Sequence, residues 1–279
     1  MKAAQTVPVL MYHHVSPSEG AITASPENFE NHLDWLRRHG YRALTTDEFA
    51  GHLAGQPVPD KSVLITFDDG YLDNWVYAFP LLKKYGYKAV VFLVTSWVKD
   101  GPVRPVWGQA GVPETPDHHE CERRIEQGES DSVILRWSEI HAMVESGVFE
   151  FHSHTHTHTR WDKSAQASQK NTLMAQELAQ SRACLLQNMG SVSEHFCWPQ
   201  GYFDEEYIRL AQEAGFKYLY TTHAFGQNRA GTDPAHIYRF AVRNTSGASV
   251  GRRIQVAAHP IIGPMFNRFK LWKRSFRRS

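Results

Sequence analysis

Two adjacent carboxylates are the side chains of this sequence with the clearest chemical potential. Asp68 and Asp69 follow a nearly continuous apolar run that begins at Val63, and Gly70 comes directly after them. Such a run is typical of a strand that is covered on both faces of a parallel sheet. Ligands and chemistry collect at the carboxyl ends of such strands, so the two acids are functional candidates. A turn made by Asp and Gly is the competing interpretation.

A run of alternating histidines is the second candidate. His152, His154, His156 and His158 follow one another at every second position, along a second predicted strand. If the chain turns after His154, residues four apart can face one centre, which makes His154 and His158 the natural pair. We interpret the other two as packing or supporting residues. A solvated tract with incidental metal affinity is the alternative, disfavoured because two motifs would have to coincide at two strand ends.

The two motifs together have the composition of a catalytic metal site. Zinc in such sites takes about three protein ligands, and two histidines with one carboxylate are an established set. Asp69 can supply the carboxylate beside His154 and His158, which leaves Asp68 as the general base. This ligand set favours Zn²⁺, and Ni²⁺ or Co²⁺ could occupy the same site.

Strands and helices alternate around these motifs, which predicts parallel strands joined by crossovers. Eight candidate strands with interleaved helices predict an α/β fold, an open or distorted (β/α) barrel of seven or eight strands. The last two strands are expected at residues 218–222 and 237–242. The predicted helices cover residues 25–39, 45–53, 74–85, 138–146, 164–189 and 204–214.

Residues 97–132 interrupt this alternation, since they are rich in proline, glycine and charge and show no period. Long loops in compact domains are usually functional or disordered, so we predict an insertion loop over the active face. Its patch His118-His-Glu-Cys121 has metal-binding side-chain types, but four consecutive loop residues rarely converge on one ion. We interpret the patch as part of a solvated loop.

Composition and charge limit the classes of partner and compartment. The net charge is +1 although residues 264–279 hold six basic residues and no acid, so the rest of the chain is mildly acidic, unlike a nucleic-acid binder. Three widely spaced cysteines without a CxxC pair argue against a disulfide framework or a cysteine zinc site. With no recognisable signal-peptide core or membrane-spanning segment, we expect a cytoplasmic protein.

The basic segment 264–279 has its own pattern. Phe266, Phe269, Trp272 and Phe276 recur at steps of three and four among basic residues. This pattern is typical of an amphipathic helix that lies on an anionic membrane, and a lipid-linked saccharide would then be a natural substrate. A terminal helix that packs its aromatic side chains on the barrel explains the pattern equally well.

Three motifs of the chain resemble those of the polysaccharide deacetylases, carbohydrate esterase family 4. Thr66-Phe-Asp-Asp-Gly70 and His154-Thr-His-Thr-His158 resemble the first two, and Phe196-Cys-Trp-Pro-Gln-Gly201 resembles the third. The opening stretch Leu10-Met-Tyr-His-His-Val15 is similar to the branch that includes the poly-N-acetylglucosamine deacetylases. The resemblance covers roughly residues 7–242, and the combined motifs are specific.

This resemblance implies a distorted β/α barrel. We expect a catalytic domain over residues 1–263, followed by the basic amphipathic tail over 264–279. It implies hydrolysis of an N-acetyl group on an amino sugar, in an N-acetylated glycan or a lipid-linked saccharide. Asp68 would be the base, and Asp69, His154 and His158 would hold the metal. The implied substrate-binding residues are Tyr71, Pro199, Gly201 and Tyr202.

The sequence departs from the family pattern at two points. The third motif commonly begins with Arg, where this chain has Cys197, so another cation must orient Asp68. Arg239 is our candidate, and a surface or structural salt-bridge arginine is the alternative. The family's last motif, a Leu-x-His that supplies a general acid, is not evident. His13 and His259 are equal candidates for that acid, and either could be a structural histidine.

Two other functions are compatible with these departures. The metal site could hydrolyse an amide or ester that is not part of a sugar. The chain could also be a carbohydrate-binding relative without activity, although binding alone does not need the set Asp68, Asp69, His154 and His158.

Overall fold

The computed structural model describes residues 3–166 and 168–276, in which strands alternate with helices. The strands are β1 (Val9–Tyr12), β2 (His14–Val15), β3 (Thr23–Ala24), β4 (Arg42–Ala43), β5 (Ser62–Asp69), β6 (Ala89–Leu93), β7 (Phe149–Ser153), β8 (His195–Cys197), β9 (Tyr218–Tyr220) and β10 (Phe240–Ala241). The helices are α1 (Pro26–Arg38), α2 (Thr46–Leu53), α3 (Phe79–Tyr85), α4 (His118–Glu126), α5 (Trp137–Glu145), α6 (Trp161–Ser164), α7 (Lys170–Met189), α8 (Glu205–Glu213), α9 (Gly247–Ala258) and α10 (Ile262–Ser275).

Eight of these strands form one parallel sheet that curls into a distorted barrel. Its order is β10-β1-β5-β6-β7-β8-β9, with β4 paired to the first residues of β5. Ile237 pairs with β9, and Phe240, three residues later, pairs with β1. One short segment therefore joins the two edges of the sheet. The predicted fold class, a distorted (β/α) barrel, is confirmed.

The two faces of the strands are buried in different ways, because successive side chains point to opposite sides. Leu64, Phe92 and Tyr220 belong to a cluster inside the barrel, which Phe49 of α2 also joins. The alternate residues, such as Phe67, pack under the outer helices. A strand that is buried on both faces must be apolar throughout, which explains the sequence of β5 up to its two carboxylates.

Three of the predicted helix starts are confirmed by their caps. Ser25 accepts the backbone N–H of Asn28, Thr45 and Glu48 form a reciprocal capping box, and Asp204 caps α8. These side chains satisfy N–H groups that have no partner within the helix.

The segment 97–132 differs from the prediction of a loop without regular structure. Helix α4 lies inside it, and Asp117 caps this helix by accepting the backbone N–H of Glu120. The patch that begins at His118 is therefore the first turn of a helix, with Cys121 buried beneath it. The interpretation as a solvated loop is wrong. A cap followed three residues later by a glutamate was the local signal of the helix start.

Other predicted elements are present with different bounds. The helix predicted at 164–189 is continuous only from Lys170, and Ala167 lies outside the described residues. The helix predicted at 74–85 begins with a π-helical turn, after which Pro80 lies in the first turn of α3. Proline is tolerated there because the first N–H groups of a helix have no partner within it. The strand predicted at 237–242 is short because this segment passes from one sheet edge to the other.

The described part of the chain contains neither a membrane-spanning helix nor a disulfide. None of its helices combines the length and the hydropathy needed to cross a membrane. Cys121, Cys184 and Cys197 are free thiols, which agrees with the prediction that no disulfide framework is present.

Candidate metal centre and active site

The two acidic residues lie where β5 ends at the carboxyl mouth of the barrel. Asp69 has φ of 74°, in the left-handed region that non-glycine residues seldom adopt, and Gly70 continues the turn with φ of 82°. The turn interrupts the alternation of the strand, so that Asp68 and Asp69 both line one cavity. Strained backbone of this kind clusters at functional sites.

The two candidate histidine ligands lie on the turn that follows β7. His154 extends the ladder through its N–H, 2.8 Å from the carbonyl oxygen of Leu93, and His158 has φ of 63°. Glu177 of α7 accepts two backbone N–H groups of the intervening turn, at 2.9 and 2.7 Å. A buried carboxylate therefore holds the turn that brings the two imidazoles to the same side.

Three ligand atoms converge on one point in this cavity. Nε2 of His154 and Nε2 of His158 lie 3.4 and 3.5 Å from Oδ1 of Asp69. That oxygen is buried and has no hydrogen-bond partner among the described residues. A tetrahedral ion with bonds of about 2.0–2.1 Å keeps its ligand atoms about 3.3–3.4 Å apart. Nδ1 of His154 lies 2.8 Å from the Cys197 carbonyl oxygen and donates to it, which leaves the Nε2 lone pair for the metal. The residues fit a divalent cation.

Asp68 is held by a different partner. Nη1 and Nη2 of Arg239 donate to its two carboxylate oxygens at 2.6 and 2.8 Å, while Nε donates to the Thr221 carbonyl oxygen at 2.9 Å. Burial would raise the pKa of Asp68, but the guanidinium outweighs it and holds the pKa below its usual range. Asp68 is therefore ionised and fixed in orientation. Arg239 is only 1% exposed, which excludes the alternative of a surface arginine.

A second group of potential ligands, Asp68, His154 and Cys197, also lies close together. It fits a cation less well, because both oxygens of Asp68 already face Arg239. Burial also raises the pKa of the Cys197 thiol, whereas a metal requires the thiolate. Sγ of Cys197 lies 2.9 Å from Nη2 of Arg239, so the thiol occupies space beside the guanidinium.

The two candidates for the general acid lie in different places. His13 lines the cavity, with Nε2 3.9 Å from Oδ2 of Asp68. Burial lowers the pKa of His13, while Asp68 and Asp69 act in the opposite direction. His259 is exposed at the junction of α9 and α10, where its Nδ1 faces the N–H groups of Ile261 and Ile262 at 3.2 Å. The structure does not bring His259 to the site, because its side chain caps the last helix.

The structure brings one of the four implied substrate-binding residues to the cavity and leaves the other three outside it. Tyr71 lines the cavity, whereas Pro199, Gly201 and Tyr202 do not. The turn after β8 presents their neighbours instead, and the Tyr202 ring lies 4.5 Å from the Arg160 guanidinium. The cavity has a volume of about 220 Å³. Its lining is His13, Ile22, Asp68, Asp69, Tyr71, Trp97, His118, Glu122, His154, His158, Trp198, Gln200 and Thr222.

The insertion lies at the active face as predicted, but sequence reasoning missed the residues that it contributes to this cavity. His118 and Glu122, one helical turn apart on α4, form part of its wall, and Trp97 comes from the start of the same segment. The spacing of four residues places His118 and Glu122 on one helix face. That signal becomes readable only once α4 is recognised as a helix.

Known proteins share the sequence profile and the fold of this chain. Residues 55–219 match the profile of the family described as polysaccharide deacetylase. The chain is 25% identical over 222 residues to a poly-beta-1,6-N-acetyl-D-glucosamine N-deacetylase of Staphylococcus epidermidis, which covers 78% of this chain and 66% of that protein. The solved structure of IcaB from Ammonifex degensii superposes with a TM-score of 0.71 at 28% identity, covering 91% of this chain and 98% of that chain.

The matches to curated relatives are partial in length. YxkH of Bacillus subtilis is 46% identical over 89 residues, which are 32% of this chain and 32% of YxkH. The chain thus spans about a third of YxkH and just under two thirds of the staphylococcal protein. The family profile, however, covers more than half of the 279 residues, from before β5 to the start of β9. The chain belongs to the polysaccharide deacetylase family.

Proposed function

We propose that this protein hydrolyses the acetamide of an N-acetylhexosamine in a glycan, with release of acetate and of the free amine. The observation that carries the proposal is the convergence of Asp69, His154 and His158 on one point, with ionised Asp68 fixed beside it by Arg239. Family membership and the name of the staphylococcal relative support an N-acetylated glycan as the substrate.

Asp69, His154 and His158 would hold a divalent cation, and two histidines with one carboxylate make Zn²⁺ the favoured ion. Ni²⁺ and Co²⁺ accept the same donors. When bound, such a cation supplies Lewis acidity that polarises a carbonyl and makes water more acidic. Asp69 and His154 are buried, so both are already placed to act as ligands without exposure to bulk water.

The remaining residues divide the proton transfers between them. Asp68 accepts a proton from the water that attacks the acetamide carbon, and Arg239 keeps its carboxylate in the required plane. Asp68 passes this proton to His13, which delivers it to the departing amine as the C–N bond breaks. The distance of 3.9 Å between His13 and Asp68 supports a shared role at one substrate group. The products, acetate and an amino sugar, together contain the atoms of the substrate and of one added water molecule.

The direct test is acetate release from N-acetylglucosamine oligomers by the metal-loaded protein. Asp68→Asn should lower kcat by at least about 100-fold, since general-base catalysis contributes about 10²–10⁴-fold. Removal of the metal with a chelator should abolish release, and added Zn²⁺ should restore it. Asp47→Asn, an exposed acid of α2, is the matched control and should leave activity unchanged.

Three outcomes would contradict the proposal. Release that survives both the chelator and Asp68→Asn would overturn the assigned roles. If the metal-loaded protein releases acetate from none of the glycans, a binding function becomes the better account. Release from non-sugar amides alone would instead identify a different substrate class.

We further propose that segment 264–279 contacts an anionic membrane from the cytoplasmic side, which would make a lipid-linked saccharide a natural substrate. The exposure of several apolar residues of α10, such as Met265 and Phe269 at 65% and 54%, supports this contact. Phe266 is different, because it lies 4.8 Å from the Arg253 guanidinium of α9. The tail residues Arg277 and Arg278 lie outside the described residues. The free cysteines are compatible with the cytoplasm.

A further inference from the structure

Helix α4 adds a polar wall to the cavity that holds the metal ligands. We call the side chains of Tyr71, His118 and Glu122 the α4 wall. Nε2 of His118 lies 3.4 Å from Oε1 of Glu122, and the Tyr71 hydroxyl lies 3.4 Å from Nδ1 of His118. The side chain of His118 is 25% exposed, so it is accessible from the cavity while its ring is supported from behind.

The support behind His118 is a chain of hydrogen bonds that the mechanism above does not use. Nδ1 of His118 lies 3.1 Å from Nε2 of His14, and Nδ1 of His14 lies 2.6 Å from Oδ2 of Asp73. His14 is 1% exposed, and its ring stacks on Tyr71 at 3.8 Å. Oδ1 of Asp73 accepts the N–H of Val15 and the side-chain amide of Asn74, both at 2.9 Å.

The carboxylate of Asp73 sets the direction of the hydrogen bonds that link it to His14 and His118. A carboxylate only accepts hydrogen bonds, so Nδ1 of His14 must carry a hydrogen toward Asp73. When Nε2 of His14 carries no hydrogen, it accepts the hydrogen on Nδ1 of His118. The Nε2 lone pair of His118 is left on the side of Glu122 and the cavity. Burial lowers the pKa of His118, which favours its neutral form.

In that tautomer Nε2 of His118 and Oε1 of Glu122, which lie 3.4 Å apart, are both acceptors. Such a pair needs a donor, because two lone pairs at this distance repel. A sugar ring can supply one through a hydroxyl group, and Tyr71 can complete the contact because a hydroxyl both donates and accepts. The shared chemistry is a hydrogen-bond donor on the saccharide.

We propose that the α4 wall is a saccharide subsite beside the metal centre, in which Nε2 of His118 accepts a hydrogen bond from a sugar hydroxyl. Asp73 and His14 are positioning residues that set the tautomer of His118. This inference rests on the proposed function for the identity of the ligand as a saccharide. It makes the insertion that carries α4 a determinant of substrate specificity.

Binding is measured by calorimetry in the Zn²⁺-loaded Asp68→Asn background, so that turnover does not interfere. His118→Phe should weaken the affinity for an N-acetylglucosamine tetramer about 10-fold, the usual effect of one lost hydrogen bond. His118→Gln should recover most of it, because the amide oxygen can accept the same hydrogen. The control is His141→Phe on α5, an exposed histidine outside the cavity, which should bind the tetramer normally.

Asp73→Asn tests the direction of these hydrogen bonds without changing a residue that lines the cavity. The amide oxygen can accept the same two hydrogen bonds as Oδ1. The amide nitrogen then donates to Nδ1 of His14, which reverses the direction of the hydrogen bonds at both ring nitrogens of His14. His118 would present N–H instead of a lone pair, and the tetramer affinity should fall as in His118→Phe. Nitrogen-15 spectra of the histidines should show His118 protonated on Nδ1 in the unmodified protein and on Nε2 in this variant.

The binding and NMR measurements together distinguish the proposed subsite from its alternatives. Unchanged tetramer affinity in His118→Phe, or a His118 protonated on Nε2 in the unmodified protein, would overturn the inference. A loss confined to a glucosamine tetramer would mean that an ammonium group is the donor, which also overturns the hydroxyl assignment. Tetramer binding that depends on His118, in a protein that releases no acetate, would support the subsite and contradict the proposed function.

Discussion

Asp68 and Asp69 are neighbours in the chain and have opposite environments. Both oxygens of Asp68 face one guanidinium, whereas Oδ1 of Asp69 faces two imidazole nitrogens and has no hydrogen-bond partner in the described part of the chain. A carboxylate that is saturated by a permanent cation is fixed in place, and one that lacks a donor is free to bind a metal. The left-handed turn at Asp69 is what allows one short segment to supply both.

The fixed orientation of Asp68 leads to the first prediction at this scale. Arg239→Lys keeps the charge but replaces a planar fork with a single ammonium, which cannot hold both oxygens. We expect kcat to fall about 10–100-fold, the value of one charge-assisted hydrogen bond, with metal content unchanged. The control is Arg136→Lys at the Asp131 ion pair, outside the cavity. Equal kcat in both variants would contradict the positioning role.

A second prediction concerns stability at acidic pH. Burial lowers the pKa of His32 to about 4, although its hydrogen bond to the Thr245 carbonyl oxygen acts in the opposite direction. The unfolded chain, with a pKa near 6.5, binds more protons between these values, so the free energy of unfolding falls as the pH falls from 6.5 toward 4. The loss from this residue approaches about 3 kcal/mol.

Urea unfolding at pH 7.5 and pH 4.5 measures this contribution. His32→Gln cannot titrate, so its free energy of unfolding should depend less steeply on pH than that of the unmodified protein. The other buried histidines titrate in both proteins and cancel in the comparison. Parallel pH curves would show that His32 is not the residue responsible.

At the scale of elements, the features that could be predicted from the sequence are those with a local sequence signal. The strand β5, the caps at Ser25 and Thr45 and the pair His154 and His158 follow from period, capping residues and spacing. Helix α4 was missed because its charged sequence has little apolar periodicity, and only the cap at Asp117 marked it. The cavity residues Gln200 and Thr222 were not predictable, because they meet only through the pairing of β8 with β9.

The turn after β8 supports a prediction about backbone strain. Gly201 has φ of 71°, and a Cβ there would lie 2.0 Å from Oγ1 of Thr222, which lines the cavity. Gly190 has a similar φ of 73° at the end of α7, with no atom within 4 Å of an added Cβ. Alanine at Gly190 should therefore cost only the left-handed conformation, about 1–2 kcal/mol.

Gly201→Ala should destabilise the protein more than Gly190→Ala and should also raise KM, because Thr222 must move. Thermal unfolding and steady-state kinetics of both variants give the comparison. Equal losses of stability with unchanged KM would mean that the turn accommodates the methyl group without affecting the cavity.

At the scale of the whole molecule, the site depends on closure of the barrel. Arg239 comes from the segment that leaves β9 and joins β1, and it reaches Asp68 across the interior. Its distance from Asp68 in sequence is 171 residues, so no local pattern reveals the pair. The sequence nevertheless suggested Arg239, because this chain has Cys197 where the family pattern has its usual arginine, and a replacement cation was needed.

The last prediction concerns α10 at the outer surface. Met265 and Phe269 are 65% and 54% exposed, and the basic residues Lys270 and Lys273 lie on the same helix. If this helix lies on an anionic membrane, Met265→Ser with Phe269→Ser removes apolar insertion. Lys270→Glu with Lys273→Glu should weaken binding at least about 10-fold, since each basic residue near such a surface contributes about 1 kcal/mol.

Cosedimentation with vesicles that contain anionic lipid measures both effects, and vesicles of neutral lipid separate them. The charge variant should lose binding only to anionic vesicles, whereas the apolar variant should lose binding to both. Val144→Ser, which removes an exposed apolar side chain from α5, is the matched control. Removal of residues 264–279 should abolish cosedimentation altogether. If that truncated protein partitions like the full chain, the helix does not serve as the membrane contact, and a soluble glycan becomes the better substrate.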